Sequence, residues 1–336
     1  PYSAFVLPLW VVGSVLCIML RCVLDKIALF CNVAPDCVVE NLTVDVLYEA
    51  PLMLEDSKLS EVVCRQLRLD TPKPDMQEWI DMLGRIKSRK DEVTIAIVGK
   101  YIKLHDAYLS VVEALKHGGY ENGCIVDIKW IDSETLDGDA SCEDAFKDVD
   151  GILVPGGFGD RGVEGKIAAC KWARENNIPY FGICLGMQIA VIEYARNVLG
   201  YADATSSEFD PDSKHCVIDL MPDQKGLPKG GTMRLGAYPC KIAKDSLMQK
   251  AYGEDMIQER HRHRYEFNND FRKELEDAGL RVTGTSPDNS LVEAVEIPAN
   301  DFFIAVQYHP EFKSRPNRAH AIFREFVKAS LANKNK

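Results

Sequence analysis

The segment Gly182-Ile183-Cys184-Leu185-Gly186 places a cysteine between two glycines, where an apolar run ends and a helical pattern begins. A thiol at such a strand-to-helix turn can act as a nucleophile, because the glycines permit a strained turn and close backbone packing. A helix amino terminus also favours the thiolate form. For an isolated cysteine in this position, a small buried core residue is the alternative interpretation.

A histidine and a glutamate could complete a catalytic site with that cysteine. His309 and Glu311 follow the apolar segment 303–306 and are two residues apart. His309 can act as general base for Cys184, while Glu311 orients the imidazole and stabilises its cation. A lone histidine near a strand end is usually structural, but this one occurs in a chain that already contains a nucleophile turn.

A glycine-rich turn, Pro155-Gly156-Gly157-Phe158-Gly159, follows a third apolar run at 151–154. Such a turn leaves backbone N–H groups free to face an anion. Together with the N–H of the residue after the cysteine, it could form an oxyanion hole for a tetrahedral intermediate. A phosphate cradle is the weaker alternative, because the Gly-Lys-Ser/Thr ending of a P-loop is absent.

Alternating strands and helices are expected to position these residues. β-prone runs occur at 93–98, 125–131, 151–154, 179–182, 291–297 and 303–306, and helical patterns occur at 166–175, 186–197 and 318–331. This alternation predicts an α/β fold with a doubly wound, mostly parallel sheet. Asp106 is expected to cap a further helix, whose apolar face includes Val111 and Leu115.

The sequence pattern of the first 90 residues differs from this alternation of strands and helices. Segment 71–74 (Thr-Pro-Lys-Pro) predicts a stiff linker between helices at 58–69 and 75–89. We therefore predict a first unit at 1–70, a linker and helix at 71–90, and the domain of the cysteine at 91–332. Residues 4–20 form an uncharged apolar run, which either is buried or anchors the chain to a membrane.

Composition narrows the class of protein. The formal net charge of -11 argues against a nucleic-acid surface, and 46% hydrophobic with 27% charged residues is typical of a globular protein. None of the eleven cysteines forms a C-x-x-C pair, which indicates reduced thiols, no metal site and a cytoplasmic location. The basic run 260–264 could be a solvated patch or a nucleic-acid contact.

The combination of G-I-C-L-G-M-Q at 182–188, P-G-G-F-G at 155–159 and Y-H-P-E-F at 308–312 resembles class I glutamine amidotransferases, whose glutaminase domains carry a Cys-His-Glu triad. Segments 98–101, 106–108, 113–119, 161–165 and 259–266 look like CTP synthase. This resemblance runs from about Lys26 to the C-terminus. It implies the amidotransferase fold for 91–332 and the incomplete tail of a synthetase (amidoligase) domain for 1–70.

The resemblance also implies roles for single residues. Cys184 would attack the side-chain amide of glutamine and release ammonia, His309 would move the protons, and Glu311 would hold His309. Gly157 and Leu185 would supply the oxyanion N–H groups. The glutamine pocket would be formed by Gly186, Met187, Gln188, Glu208 and Arg264. In that pocket a carboxylate suits the ammonium of the substrate and a guanidinium suits its carboxylate.

Further substrates are implied by the same resemblance. In a full-length, homo-oligomeric enzyme, ATP with Mg²⁺ would activate UTP, and ammonia would convert it to CTP. GTP would promote glutamine hydrolysis from the region of Phe158 and Arg161. Nucleotide contacts are implied at Lys26, Leu42, Thr43 and Val44. Neither a phosphate-binding loop nor an acidic pair for Mg²⁺ is evident, so we expect most of the synthetase half, and its cofactors, to be missing from this chain.

The predicted function is therefore glutamine hydrolysis of the CTP synthase type. Two alternatives stay open. A truncated, non-catalytic subunit could bind full-length CTP synthase and modulate it. A free γ-glutamyl hydrolase could use a similar Cys-His site, although the tail of a synthetase domain argues against it.

Overall fold

The protein, described here by a computed structural model over residues 21–221 and 233–336, divides into two compact units, 1–83 and 84–336. The apolar run 4–20 lies outside the described residues. Across the described ranges, every helix is too short or too polar to cross a membrane.

The first unit is helical over its described residues. Helix α1 covers residues 21–31, and α2 (Ala50–Asp56), α3 (Leu59–Leu67) and α4 (Gln77–Ser88) follow. Both predicted helices of this region are thereby confirmed, and the division between the units falls inside α4. Several large apolar side chains are solvent-exposed in this unit, among them Phe30 at 86%.

The second unit is built on a nine-stranded sheet in the order β2-β1-β3-β4-β12-β11-β10-β7-β8. Its strands are β1 (Asp91–Gly99), β2 (Cys124–Asp132), β3 (Gly151–Val154), β4 (Tyr180–Ile183), β7 (Arg234–Ile242), β8 (Met256–His263), β10 (Arg281–Thr285), β11 (Val292–Glu296) and β12 (Phe303–Val306). A small second sheet contains β5 (Thr205–Ser206), β6 (Cys216–Leu220) and β9 (Tyr265–Phe267).

Strand direction divides the large sheet in two. The strands β2, β1, β3, β4 and β12 pair in parallel and are called the parallel half here. The strands β11, β10, β7 and β8 pair antiparallel and are called the antiparallel half. Strands β3, β4 and β12 are buried at every position, which explains their continuous apolar sequence.

Helices lie on both faces of the large sheet. They are α5 (Leu109–Asn122), α6 (Asp139–Ala145), α7 (Val163–Glu175), α8 (Leu185–Asn197), α9 (Leu247–Tyr252), α10 (Arg272–Asp277) and α11 (Ala321–Lys334). Along β1, Ile95 and Ile97 pack in one core cluster with residues of α5 and α11, while Ala96 and Val98 pack in another with residues of α7 and α8. Because alternate residues of a strand face opposite sides, this confirms the doubly wound α/β fold.

One expectation about these helices is wrong. Helix α5 begins at Leu109, after a 3₁₀ turn at His105–Tyr108, and Asp106 lies inside that turn. The residue that precedes the helix is Tyr108, whose side chain does not cap it. The 3₁₀ turn leads directly into the helix, in the place where a capping carboxylate would otherwise stand.

Candidate active site

Cys184 occupies a strained turn between β4 and α8. Its backbone has φ 53° and ψ −101°, a conformation that a residue with a Cβ rarely adopts. The turn is held in place because the Cys184 N–H donates to the carbonyl of Val306 at 2.7 Å. A Cβ on Gly186 would lie 2.1 Å from the carbonyl oxygen of Val154, so only glycine lets α8 approach β3 this closely. The strained strand-to-helix turn predicted around Cys184 is present.

His309 follows β12, the strand that pairs in parallel with β4, so the carboxyl ends of the two strands are neighbours. Its Nδ1 lies 2.8 Å from Oε1 of Glu311, to which it donates as N–H. A Cβ on Gly156 would lie 2.9 Å from Cε1 of His309 and 3.5 Å from Cβ of Cys184. The fold therefore brings the three predicted catalytic residues together around one glycine.

The second ring nitrogen of His309, Nε2, is buried and makes no hydrogen bond of standard geometry to any described residue. Burial alone would lower the pKa of His309, but its interactions with Cys184 and Glu311 outweigh burial and raise it to about 10. Since no formed hydrogen bond occupies Nε2, we attribute the contribution of Cys184 mainly to charge attraction. The imidazolium form of His309 is thus stabilised beside the sulfur.

The two predicted oxyanion donors lie on neighbouring turns. Leu185 is the first residue of α8, and a Cβ on Gly157 would lie 3.4 Å from Cδ2 of Leu185. Within the described part of the chain, the backbone N–H of neither residue donates to a protein acceptor. Both N–H groups are therefore available to a ligand beside Cys184.

A small cavity of about 60 Å³ adjoins Cys184 and includes four predicted residues on its walls, Gly157, Gln188, Glu208 and Arg264. The carboxylate of Glu208 accepts a hydrogen bond from the N–H of Gly159 at 3.2 Å, which fixes it on the glycine-rich turn. The cavity has a carboxylate and a guanidinium on its walls, as a zwitterionic ligand requires.

Gly186 and Met187 do not line that cavity. Gly186 packs against β3, and Met187 is fully buried in the core cluster of α7 and α8. Their roles as glutamine contacts stay predictions.

A larger cavity of about 310 Å³ also borders Cys184, and Tyr101, Phe158, Arg262 and Phe312 contribute to its walls. Phe158 is 47% exposed, and the guanidinium of Arg262 lies 5.6 Å from the centre of its ring. Arg161, the other residue of the predicted GTP region, donates to the carbonyl of Lys100 at 3.2 Å. GTP binding here stays a prediction.

The residues predicted to contact nucleotides belong to the first unit. Lys26 is exposed on α1. Leu42 and Thr43 are exposed and Val44 is half-buried, in a segment without helix or strand. Among the described residues of that unit, no contact of these four residues indicates a nucleotide, so these assignments also stay predictions.

The basic run is an amphipathic strand, which was not predicted from the sequence. Along β8, Arg260 and Arg262 are exposed whereas His261 and His263 are buried at 0% and 2% exposure. A solvated patch is therefore the wrong interpretation for the histidines. Alternation with a period of two was the available signal, and it was hidden because every residue of the run is polar.

Hydrogen bonding fixes the tautomers of these two histidines. His263 Nδ1 lies 3.1 Å from the carbonyl oxygen of Tyr265, so this nitrogen is the N–H donor. Nε2 of the neutral His263 ring is then an acceptor, and it receives the Nδ1–H of His261 at 3.1 Å. Burial, with the nearby Arg234 charge, lowers the pKa of His261 to about 2 and that of His263 to about 3. Both rings are neutral at physiological pH.

Glu293 completes this buried network. Its carboxylate pairs with Arg234 at 2.6 Å and lies 3.5 Å from Nδ1 of His261. The ligand atoms of Glu293, His261 and His263 lie within 4.8 Å of one another, a donor set that suits zinc. Arg234 pairs with Oε1 of Glu293 and one hydrogen bond joins the two rings, whereas Oε2 of Glu293 and Nε2 of His261 are buried without a hydrogen-bond partner among the described residues. We interpret the group as a structural network.

Comparison with known proteins agrees with this geometry. The family model "Glutamine amidotransferase class-I" matches residues 103–329, about two thirds of the chain. The chain therefore belongs to the class-I glutamine amidotransferase family. A second model, "CTP synthase N-terminus", matches residues 14–69, and the chain belongs with the CTP synthases in that family. The match begins ahead of Lys26, so the start that the sequence analysis gave to the resemblance was too late.

Individual relatives support the same assignment. The CTP synthase of Clostridium kluyveri is 60% identical over 313 residues, which are 93% of this chain and 58% of that protein. The CTP synthase of Listeria innocua is 52% identical over 92% of this chain and 58% of its own length. The solved glutaminase domain of Trypanosoma brucei CTPS with bound acivicin is 45% identical with a TM-score of 0.67, over 71% of this chain and 93% of that domain. This chain thus spans less than two thirds of the curated relatives' length.

Proposed function

We propose that this chain hydrolyses glutamine to glutamate and ammonia with Cys184 as nucleophile, His309 as acid and base, and Glu311 as the group that orients His309. One observation carries the proposal. A strained cysteine, a histidine paired with a carboxylate, and two unoccupied backbone N–H groups converge where β3, β4 and β12 end. Acyl transfer needs these components in this arrangement.

In the first half-reaction, Sγ of Cys184 attacks the side-chain carbonyl carbon of glutamine. The oxygen of the tetrahedral intermediate is stabilised by the N–H groups of Gly157 and Leu185. His309, held as imidazolium by Glu311, donates its Nε2 proton to the leaving nitrogen. The carbon–nitrogen bond breaks, ammonia leaves, and a γ-glutamyl thioester remains on Cys184.

The second half-reaction reverses these roles. Neutral His309 accepts a proton from water at Nε2 while the water oxygen attacks the thioester carbon. The same two N–H groups stabilise the second oxyanion. The carbon–sulfur bond breaks, glutamate is released, and the thiolate of Cys184 faces imidazolium again.

Substrate recognition is assigned to the small cavity. Glu208 is placed to bind the α-ammonium of glutamine, and Arg264 to bind its α-carboxylate. Gln188 lies on the same wall and is the predicted neutral contact.

For the whole protein, we propose that the ammonia serves ATP-dependent amination of UTP to CTP, in pyrimidine nucleotide biosynthesis in the cytoplasm, with GTP as activator and a homo-oligomeric assembly. The CTP synthase relatives support this proposal. Mg²⁺ prefers oxygen ligands, whereas the candidate metal-binding group among the described residues, His261, His263 and Glu293, contains two imidazoles. We therefore assign no step to Mg²⁺ or ATP in this chain.

The proposed nucleotide contact is Lys26 with residues 42–44.

Ammonia release from glutamine tests the proposal, with the wild-type chain beside Cys184→Ala, each with and without GTP. We expect release by the wild type and a loss of at least about 1000-fold in the variant, since the covalent route disappears. Equal release by both proteins would refute the assignment of Cys184. No release by either would favour the non-catalytic subunit, which co-purification with a full-length CTP synthase would then detect.

A further inference from the structure

Gln307 is the residue directly after β12, two positions before His309. Its side chain is fully buried, and its backbone N–H donates to the carbonyl of Glu293 at 2.8 Å, so its position is fixed. Its side-chain nitrogen, Nε2, lies 3.6 Å from Sγ of Cys184. A buried amide group therefore contacts the sulfur of the proposed nucleophile.

The orientation of this amide follows from its neighbour Gln188. Nε2 of Gln188 donates to the carbonyl oxygen of Tyr265 at 3.0 Å and to Oε1 of Gln307 at 3.3 Å. Only the NH₂ end of Gln188 can face the Tyr265 carbonyl, and it has two N–H groups, one for each acceptor. Oε1 of Gln307 is thereby engaged as an acceptor. Its NH₂ end must then point at the sulfur.

An N–H donor stabilises a thiolate more than a thiol, because hydrogen bonds to a charged partner are the stronger ones. The sulfur is only 3% exposed as part of Cys184, so water contributes little to its solvation. Gln307 carries no charge and cannot exchange a proton. It therefore stabilises the thiolate whether or not His309 is protonated, unlike the electrostatic contribution of His309.

We propose that Gln307 is a further catalytic residue, which donates an N–H to Sγ of Cys184, stabilises the thiolate and aims the sulfur at the substrate amide. Gln188 holds Gln307 in this orientation from the wall of the small cavity. The role in glutamine attack rests on the proposed glutaminase function. The hydrogen bond to sulfur can be tested without glutamine.

Other groups that act on this sulfur must stay constant in the test. In the larger cavity, the charged or titratable neighbours include Asp106, Tyr108, Arg262, His309 and Glu311. In the small cavity they are Glu208, His263, Arg264 and Tyr265. The carbonyl oxygen of Arg262 also faces Sγ, at 4.0 Å. Changes at Gln307 alter none of these residues.

The experiment measures the rate of iodoacetamide alkylation at Cys184 against pH, by mass spectrometry of the peptide that contains it. Gln307→Leu removes the donor at similar volume, and Gln307→Glu keeps the acceptor for Gln188 but replaces the donor by a carboxylate. We expect the midpoint of the profile to move to higher pH by about one unit in Gln307→Leu, and further in Gln307→Glu. Gln258→Leu, at an exposed position of β8, is the matched control and should leave the midpoint in place.

Glutamine turnover is measured in parallel, and kcat should fall about 10-fold in Gln307→Leu with KM changed less than about threefold. Folded Gln307→Leu and Gln307→Glu chains with midpoints within about 0.3 unit of wild type would overturn the proposal. If Gln307→Leu does not fold, Gln307→Glu alone decides. A shifted alkylation profile in a chain that releases no ammonia would support the hydrogen bond while refuting the proposed glutaminase.

Discussion

The two halves of the nine-stranded sheet place their polar side chains differently. In the parallel half, β3, β4 and β12 are apolar, and the proposed catalytic residues Cys184 and His309 follow the carboxyl ends of β4 and β12. In the antiparallel half, ionisable side chains lie inside the strands and are buried, as for Arg234 on β7, His261 on β8 and Glu293 on β11.

The difference follows from the surroundings of a strand end and of the middle of a buried strand. A strand end that leads into a glycine turn or a helix leaves backbone N–H groups unpaired and opens on a cavity, so a side chain there can react. A charge in the middle of a buried strand has no water and must be paired within the protein. Glu293 is paired by Arg234, and the neutral His261 donates to His263, which donates to the carbonyl of Tyr265, beside Arg264. We infer that buried, paired side chains support the antiparallel half beside Arg264, while the proposed chemistry lies where strands of the parallel half end.

The largest expected effect is on stability and comes from Glu293→Ala. This change leaves the buried guanidinium of Arg234 without its partner, and breaking such a pair costs about 3–5 kcal/mol. Urea denaturation of the full chain measures the loss. Glu254→Ala, at an exposed position, is the matched control and should change the free energy of unfolding by less than about 0.5 kcal/mol.

A double change separates pairing from packing in this network. Arg234→Met with Glu293→Gln removes both charges at similar volume, so it should cost less than Glu293→Ala alone. A loss below about 1 kcal/mol for Glu293→Ala would contradict the view that charges in the antiparallel half are stabilised only by pairing.

The second effect is on activity and comes from Glu311→Gln. The amide keeps the size of the side chain but presents an NH₂ group that can favour the wrong tautomer of His309. We expect kcat/KM for glutamine to fall about 10- to 100-fold, while the free energy of unfolding changes by less than about 1 kcal/mol. Because Glu311 raises the pKa of His309, the alkaline limb of the activity profile should move to lower pH.

Glu276→Gln, on the exposed side of α10, serves as the control for this change. If Glu311→Gln retained kcat/KM within about twofold, His309 would not depend on the carboxylate of Glu311. The contrast between Glu311, proposed to act in catalysis, and Glu293, a structural residue inside β11, would then fail.

The sequence predicted the parallel half well because its signals are local. A buried parallel strand is a continuous apolar run, and 303–306 matches β12 residue for residue. The turn at Cys184 and the pair His309–Glu311 were recognisable because the spacing of the glycines and the residue types indicate a catalytic site directly.

Apart from β11, which the run 291–297 predicted, the antiparallel half escaped prediction for a physical reason. In β8 the inward positions carry Glu259, His261 and His263, and the partners of Glu259 and His261 come from distant parts of the sequence, His320 and Glu293 among them. No local pattern shows those partners. Gln307 was missed in the same way, because only the contact of β12 with α8 places its amide between Gln188 and Cys184.

The smallest expected effect concerns the acid side of the stability profile. His261 and His263 have folded-state pKa values of about 2 and about 3, below the ordinary value near 6.5. Below pH 6.5 the unfolded chain takes up protons at these rings and the folded chain does not. Their contribution to stability is therefore complete above pH 6.5 and is lost as pH falls, by up to about 1.4 kcal/mol per pH unit for each histidine.

His261→Gln removes one of these protons and keeps an N–H donor for His263, so between pH 6 and pH 5 its stability should fall less steeply than that of wild type. Urea denaturation at several pH values measures both slopes, with the exposed His105→Gln as control. Comparing slopes rather than absolute stabilities cancels whatever packing the variant loses. Equal slopes would mean that His261 titrates normally in the folded chain, and that the antiparallel half tolerates a charge on this buried ring.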